Sequence, residues 1–75
     1  MKNILIAVAC RNASGMADMP VFFVSVTSED YDLGVHYDRA EELAEDAGYE
    51  PPFVCFDDAE QPHILAAAKR LNVVP

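Results

Sequence analysis

The chain has 75 residues, of which 52 % are hydrophobic, and a formal net charge of −8 at pH 7. This length predicts one domain over residues 1–75 with a single core, and it excludes an enzyme built from two lobes around a cleft. The apolar fraction excludes intrinsic disorder. The negative charge excludes unaided binding to nucleic acid or to an anionic membrane, because both require clustered Lys and Arg.

Residues 1–26 predict two β-strands joined by a loop. Residues 4–10 are continuously apolar and rich in β-branched side chains, which is typical of a strand covered on both faces. Residues 11–20 contain Asn12, Gly15 and Pro20 and predict a loop, after which residues 21–26 form the second strand. The apolar part of the first segment is too short for a signal-peptide core or a membrane span, so we expect no membrane association.

The remaining residues predict a helix, a strand and a second helix. Residues 35–47 form the first helix, Gly48 ends it, and Thr27 and Asp30 before it have the spacing of a capping box. Residues 49–52 turn the chain, residues 53–56 form the third strand, and Asp57 or Asp58 caps the second helix. The inner face of the first helix consists of His36, Ala40, Leu43, Ala44 and Ala47.

The predicted element order is therefore β-β-α-β-α. The second strand, first helix and third strand form a βαβ unit, and the first strand pairs antiparallel with the second. We expect an α+β fold, a small two-layer sandwich in which a three-stranded mixed sheet is backed by two helices.

The two cysteines, Cys10 and Cys55, are far apart in the chain and each lies in an apolar run. No CxxC redox motif or zinc-knuckle spacing is present. Both are predicted to be reduced, buried thiols, which indicates a cytosolic protein. We expect no metal and no cofactor.

The negative charge is concentrated in residues 29–60, which hold 12 of the 13 acidic residues and the single base Arg39, a net charge of −11. On the first helix, Asp38 with Glu42 and Glu41 with Glu45 are like-charge pairs at i, i+4, which destabilise a helix. Acidic residues along one helix often form only a solvated surface. They can also belong to the generally acidic surface of a protein from a halophile. Because the second helix obeys the pairing and dipole rules that this helix breaks, we interpret the row as functional.

Carboxylates repeat along this helix at about 4.5–6 Å, a spacing similar to that of phosphates along a nucleic-acid strand. The sequence therefore predicts a non-enzymatic monomer that imitates DNA and occupies a basic nucleic-acid-binding site of a partner protein. The predicted partner-binding residues are Glu29, Asp30, Asp32, Asp38, Glu41, Glu42, Glu45, Asp46 and Glu50.

Two other functions remain open from the sequence. One is a small acidic antitoxin-like interaction protein. The other is a magnesium-dependent enzyme using Asp57 and Asp58, which follow the third strand, although no Gly-rich phosphate loop or nearby Lys completes such a site. Helix capping explains the same two residues.

The short acidic chain, and chiefly its segment TSEDYDLGVHYDRAEELAEDAGYE at residues 27–50, resembles the small acidic anti-CRISPR proteins of phages and mobile elements, particularly inhibitors of type I systems. That group is defined by activity and shares no sequence motif, so no site residue is transferred from it. The resemblance implies that the partner is a type I CRISPR surveillance complex and that target DNA binding is blocked.

Overall fold

The computed structural model describes the backbone of residues 1–58 and 60–72 and the side chains of residues 1–58 and 60–67. The elements in chain order are β1 (Lys2–Arg11), β2 (Ala17–Asp18), β3 (Val21–Val26), α1 (Ser28–Asp32), α2 (Val35–Asp46), β4 (Glu50–Asp57) and α3 (Pro62–Asn72). None of the described helices is long and apolar enough to cross a bilayer.

The strand β1 lies at the centre of the sheet and pairs antiparallel with all the other strands. On one side it pairs with β2 and β3, which share one register, with Ile4 opposite Val24. On its other side it pairs with β4, where Ile6 lies opposite Asp57, and this register shifts between Ala9 and Arg11. The outer strands β3 and β4 therefore run parallel to each other and do not pair.

The two faces of the sheet bury different side chains because successive residues of a strand point to opposite sides. The even-numbered residues of β1 pack against α2, forming a cluster with Ala40 and Ala44. On the opposite face, Ala7 of β1 packs against Leu65 of α3. The second face is less completely covered, since Phe23 and Val54 are exposed there.

Local signals fix the start of α1 and the join between α1 and α2. The hydroxyl of Thr27 accepts a hydrogen bond from the backbone N–H of Asp30 at 3.1 Å, which confirms the predicted cap. Gly34, between α1 and α2, has φ of 78°, a left-handed conformation that residues with a Cβ adopt at a cost. This glycine changes the chain direction so that α2 can pack on the sheet.

The predicted α+β class is confirmed, and several of its details differ. The sheet is antiparallel throughout rather than mixed, and the predicted first loop contains the two-residue strand β2. An extra short helix, α1, precedes α2, and β4 begins at Glu50 inside the predicted turn. The helices α2 and α3 lie on opposite faces of the sheet rather than on one, because neighbouring positions of β1 are both apolar and bury both faces.

Candidate functional site

Five of the nine predicted partner-binding residues form a row on the outward surface of α2, which we call the acidic row. It consists of Asp38, Glu41, Glu42, Glu45 and Asp46. Glu41 is half-buried and the other four are exposed. The helix turns 100° per residue, so these side chains lie opposite the buried Ala40 and Ala44.

The other four predicted residues lie on neighbouring elements and are not part of the acidic row. Glu29, Asp30 and Asp32 belong to α1, and Glu50 begins β4. Asp30 is half-buried and the other three are exposed. The structure therefore keeps all nine accessible and aligns only the five on α2.

Within the described residues, a single cation pairs with the acidic row. Arg39 donates a hydrogen bond to Glu42 at 3.1 Å, and both side chains are exposed, so water screens the attraction strongly. The last turn of α2 has no basic residue, although the helix dipole there favours a cation and opposes Glu45 and Asp46. The acidic row consequently retains most of its negative charge.

A second polar group, buried between α2 and the end of β4, is absent from the predicted site. Asp57 lies opposite Ile6, so its side chain points to the α2 face, where it is 1 % exposed. Its Oδ2 accepts a hydrogen bond from the Tyr37 hydroxyl at 3.0 Å, and its Oδ1 accepts one from the backbone N–H of Glu60 at 2.6 Å. The Tyr37 hydroxyl also lies 3.4 Å from Oε2 of Glu60.

His36 completes this buried group. It is 2 % exposed, and its Nε2 lies 3.5 Å from Oδ2 of Asp57 without the orientation of a hydrogen bond. The imidazole stacks on Tyr31 with a centroid distance of 4.6 Å and an interplanar angle of 15°. It also contacts the ring of Tyr37, with the centroids 4.0 Å apart. Together these contacts connect α1, α2 and the end of β4.

Burial controls the protonation of the two phenols in the group. It raises the pKa of Tyr37 well above its usual range, and the hydrogen bond to Asp57 and the charges of Asp57 and Glu60 raise it further. Burial likewise raises the pKa of Tyr31, with the charge of Asp57 as the next cause. Both hydroxyls therefore stay protonated at neutral pH, and Tyr37 remains a donor to Asp57.

The thiol nearest to this group, Cys55, is not activated as a nucleophile. Burial raises the pKa of Cys55 to about 11, and the negative charges of Glu41 and Asp38 add to the effect. Its Sγ lies 3.9 Å from the backbone carbonyl of Tyr37 and is half-buried. Cys10 and Cys55 are both free thiols, as predicted.

The magnesium site considered for Asp57 and Asp58 has no support in this geometry. Both oxygens of Asp57 accept hydrogen bonds from the protein, and no group of three or more His, Cys, Asp or Glu residues in the described part of the chain could hold a metal ion. Asp57 does act as a cap, but of the chain that directly follows β4: its side chain accepts the Glu60 N–H, and its carbonyl accepts the Gln61 N–H at 2.9 Å. The helix α3 begins one residue later, at Pro62.

Comparison of the chain with protein families, curated proteins and solved structures finds no match.

Proposed function

We propose that the chain is a non-enzymatic binding protein whose acidic row occupies a basic nucleic-acid-binding surface of a partner protein. The observation that carries the proposal is the row of five acidic side chains on the outward surface of α2, with Arg39 as its only paired cation among the described residues. Two members of the row, Glu45 and Asp46, conflict with the helix dipole, and the row contains like-charge pairs. A feature that costs stability in this way is explained by a role in binding.

The acidic row offers the partner the charge pattern of a nucleic-acid strand. Lys and Arg side chains placed to hold phosphates would form charge-assisted hydrogen bonds with the carboxylates. Long-range attraction would speed the encounter, and the bound protein would exclude DNA by occupying its site. A type I CRISPR surveillance complex, which binds target DNA through such a surface, is the partner we propose, on the resemblance to small acidic anti-CRISPR proteins.

The test compares three immobilised proteins as bait in lysate from a bacterium that carries a type I CRISPR system. The first is the unmodified chain, and the second combines Glu41→Gln, Glu42→Gln and Glu45→Gln. The third is a matched control with the same net charge, in which exposed residues away from α2 are replaced: Ala13→Lys, Ser14→Lys and Ala66→Lys. Each capture is repeated with competing duplex DNA.

We expect the unmodified chain and the lysine control to retain the surveillance complex, and duplex DNA to displace it. The glutamine variant should bind at least about tenfold more weakly, because the contacts to Lys and Arg are lost. Equal capture by all three proteins would show that the acidic row is only a solvated surface. Failure to capture any nucleic-acid-binding protein would overturn the proposal altogether.

A further inference from the structure

Among the described residues, none forms a backbone hydrogen bond with the outer edge of β3. The N–H of Val8 donates to the carbonyl of Pro20 at 2.9 Å, so Val8 and Pro20 form a hydrogen-bonded pair that extends the antiparallel ladder of β1 and β3. Because such pairs alternate, the N–H and C=O groups of Val21, Phe23 and Ser25 point away from β1. In the described part of the chain no strand pairs with this edge.

The two edges of the sheet differ in how they are protected against pairing. The edge strand β4 contains Pro51, Pro52 and Glu50, and proline and charge are the usual means of blocking an edge. The sequence of β3, VFFVSV, contains no proline and no charged residue. Phe23, in the middle of β3, is a large apolar side chain that is 63 % exposed. An unprotected edge with an exposed aromatic side chain is a surface for strand pairing.

We propose that β3 pairs antiparallel with β3 of a second copy of this chain, around a two-fold axis at Phe23. The outward-pointing groups are self-complementary in this arrangement, since Phe23 faces Phe23 of the second copy and Val21 faces Ser25. Three hydrogen-bonded pairs exchange about six backbone hydrogen bonds and join the two sheets into one. The two Phe23 side chains, on the same face of the joined sheet, shield each other from water.

The chemistry of β3 favours a second copy as the occupant. A charged residue at the two-fold axis would face the same charge of the second copy, but β3 contains no charged residue. The acidic row lies on α2, which packs on the face of the sheet opposite to the Phe23 side chain. The proposed dimer thus leaves both acidic rows free, and it does not depend on the proposed binding function. It replaces the monomer expected from the sequence.

Sedimentation velocity over an approximately 100-fold concentration range tests the proposal. Phe23→Lys places two positive charges against each other at the axis, and because Phe23 is exposed, circular dichroism should show an intact fold. The matched control is Val54→Lys, which adds the same charge at a 53 % exposed position of β4 on the same face of the sheet. We expect the unmodified chain and the Val54 variant to dimerise, and Phe23→Lys to raise the dimer Kd at least about tenfold.

Hydrogen exchange supplies a second measurement that locates the interface. The amides of Val21, Phe23 and Ser25 should exchange more slowly as concentration rises. The N–H of Asp58 donates to the Leu5 carbonyl at 3.1 Å, so the amides of Phe53 and Cys55 point to the outer edge of β4. Their exchange rates should not change with concentration. A chain that stays monomeric at the highest concentration, or a Phe23→Lys variant that dimerises as well as Val54→Lys, would overturn the proposal.

Discussion

Asp57 is a buried carboxylate satisfied by donors of its own chain. Removing a carboxylate from water is costly unless its oxygens accept hydrogen bonds, and Tyr37 and the Glu60 backbone supply them. His36 fills the space beside it, stacks on Tyr31 and contacts the tilted ring of Tyr37. The group holds the start of α2 against the end of β4, which fixes the orientation of the helix that carries the acidic row.

Replacing Tyr37 by Phe should destabilise the protein by about 1–3 kcal/mol at neutral pH, because Oδ2 of Asp57 loses its hydrogen-bond donor while remaining buried. Chemical denaturation measures this loss. Unchanged stability would show that the hydrogen bond from Tyr37 to Asp57 does not stabilise the folded state.

The same variant should also respond less to alkaline pH. Since the folded state raises the pKa of Tyr37, its stabilising effect is complete below the phenol's unfolded pKa of about 10 and is lost as pH rises further toward the folded value. The free energy of unfolding of the unmodified chain should therefore fall more steeply above about pH 10 than that of Tyr37→Phe.

At the scale of single elements, the negative charges on the surface of α2 destabilise this helix. Combining Glu41→Gln, Glu42→Gln and Glu45→Gln preserves side-chain length and helix propensity and removes the like-charge pairs. The melting temperature should stay the same or rise slightly, because Glu45 also opposes the helix dipole. Thermal unfolding by circular dichroism measures it. A clear fall in melting temperature would mean that these carboxylates stabilise the helix rather than strain it.

The elements that depend on local signals were predictable from the sequence. The helical spacing of Ala40 and Ala44 gave α2 almost to its ends, and the Thr27 cap was visible in the residue types. The antiparallel pairing of β1 with β3 was also predicted and is confirmed, whereas the pairing of β1 with β4 was not visible in the sequence. The central position of β1 depends on contacts with residues far along the chain, which local spacing does not encode.

The same distinction between local spacing and long-range contacts separates the predicted from the missed parts of the candidate site. The acidic row was predictable because five residues of one helix share a face by periodicity alone. The buried group around Asp57 was missed because it joins α1, α2 and β4. One signal was available, since the alternation of Phe53, Cys55 and Asp57 along a strand places all three on the face that packs against α2.

At the scale of the whole molecule, salt should affect the two proposed associations in opposite directions. Raising the salt concentration from about 0.05 to 0.5 M shortens the Debye length from roughly 14 to 4 Å. Binding to a basic partner should weaken, because attraction to the acidic row is screened. Dimerisation through β3 should strengthen, because two copies of net charge −8 repel each other less.

Titration of both equilibria at the two salt concentrations measures these effects. Partner binding that is insensitive to salt would count against the acidic row as the contact surface. Dimerisation that weakens with salt would indicate an interface held by opposite charges, which β3 does not contain.

The central position of β1 also has a consequence for how the chain reaches its folded state. Its hairpin with β3 closes across a short connection, whereas its contact with β4 joins residues about 50 positions apart, such as Ile6 and Asp57. Closing the longer loop costs more chain entropy, so we expect β4 to dock after the β1–β3 hairpin has formed. Until β4 docks, one edge of β1 has unpaired N–H and C=O groups with which another extended chain can pair. The rate of β4 docking therefore sets how long the molecule can aggregate through this edge.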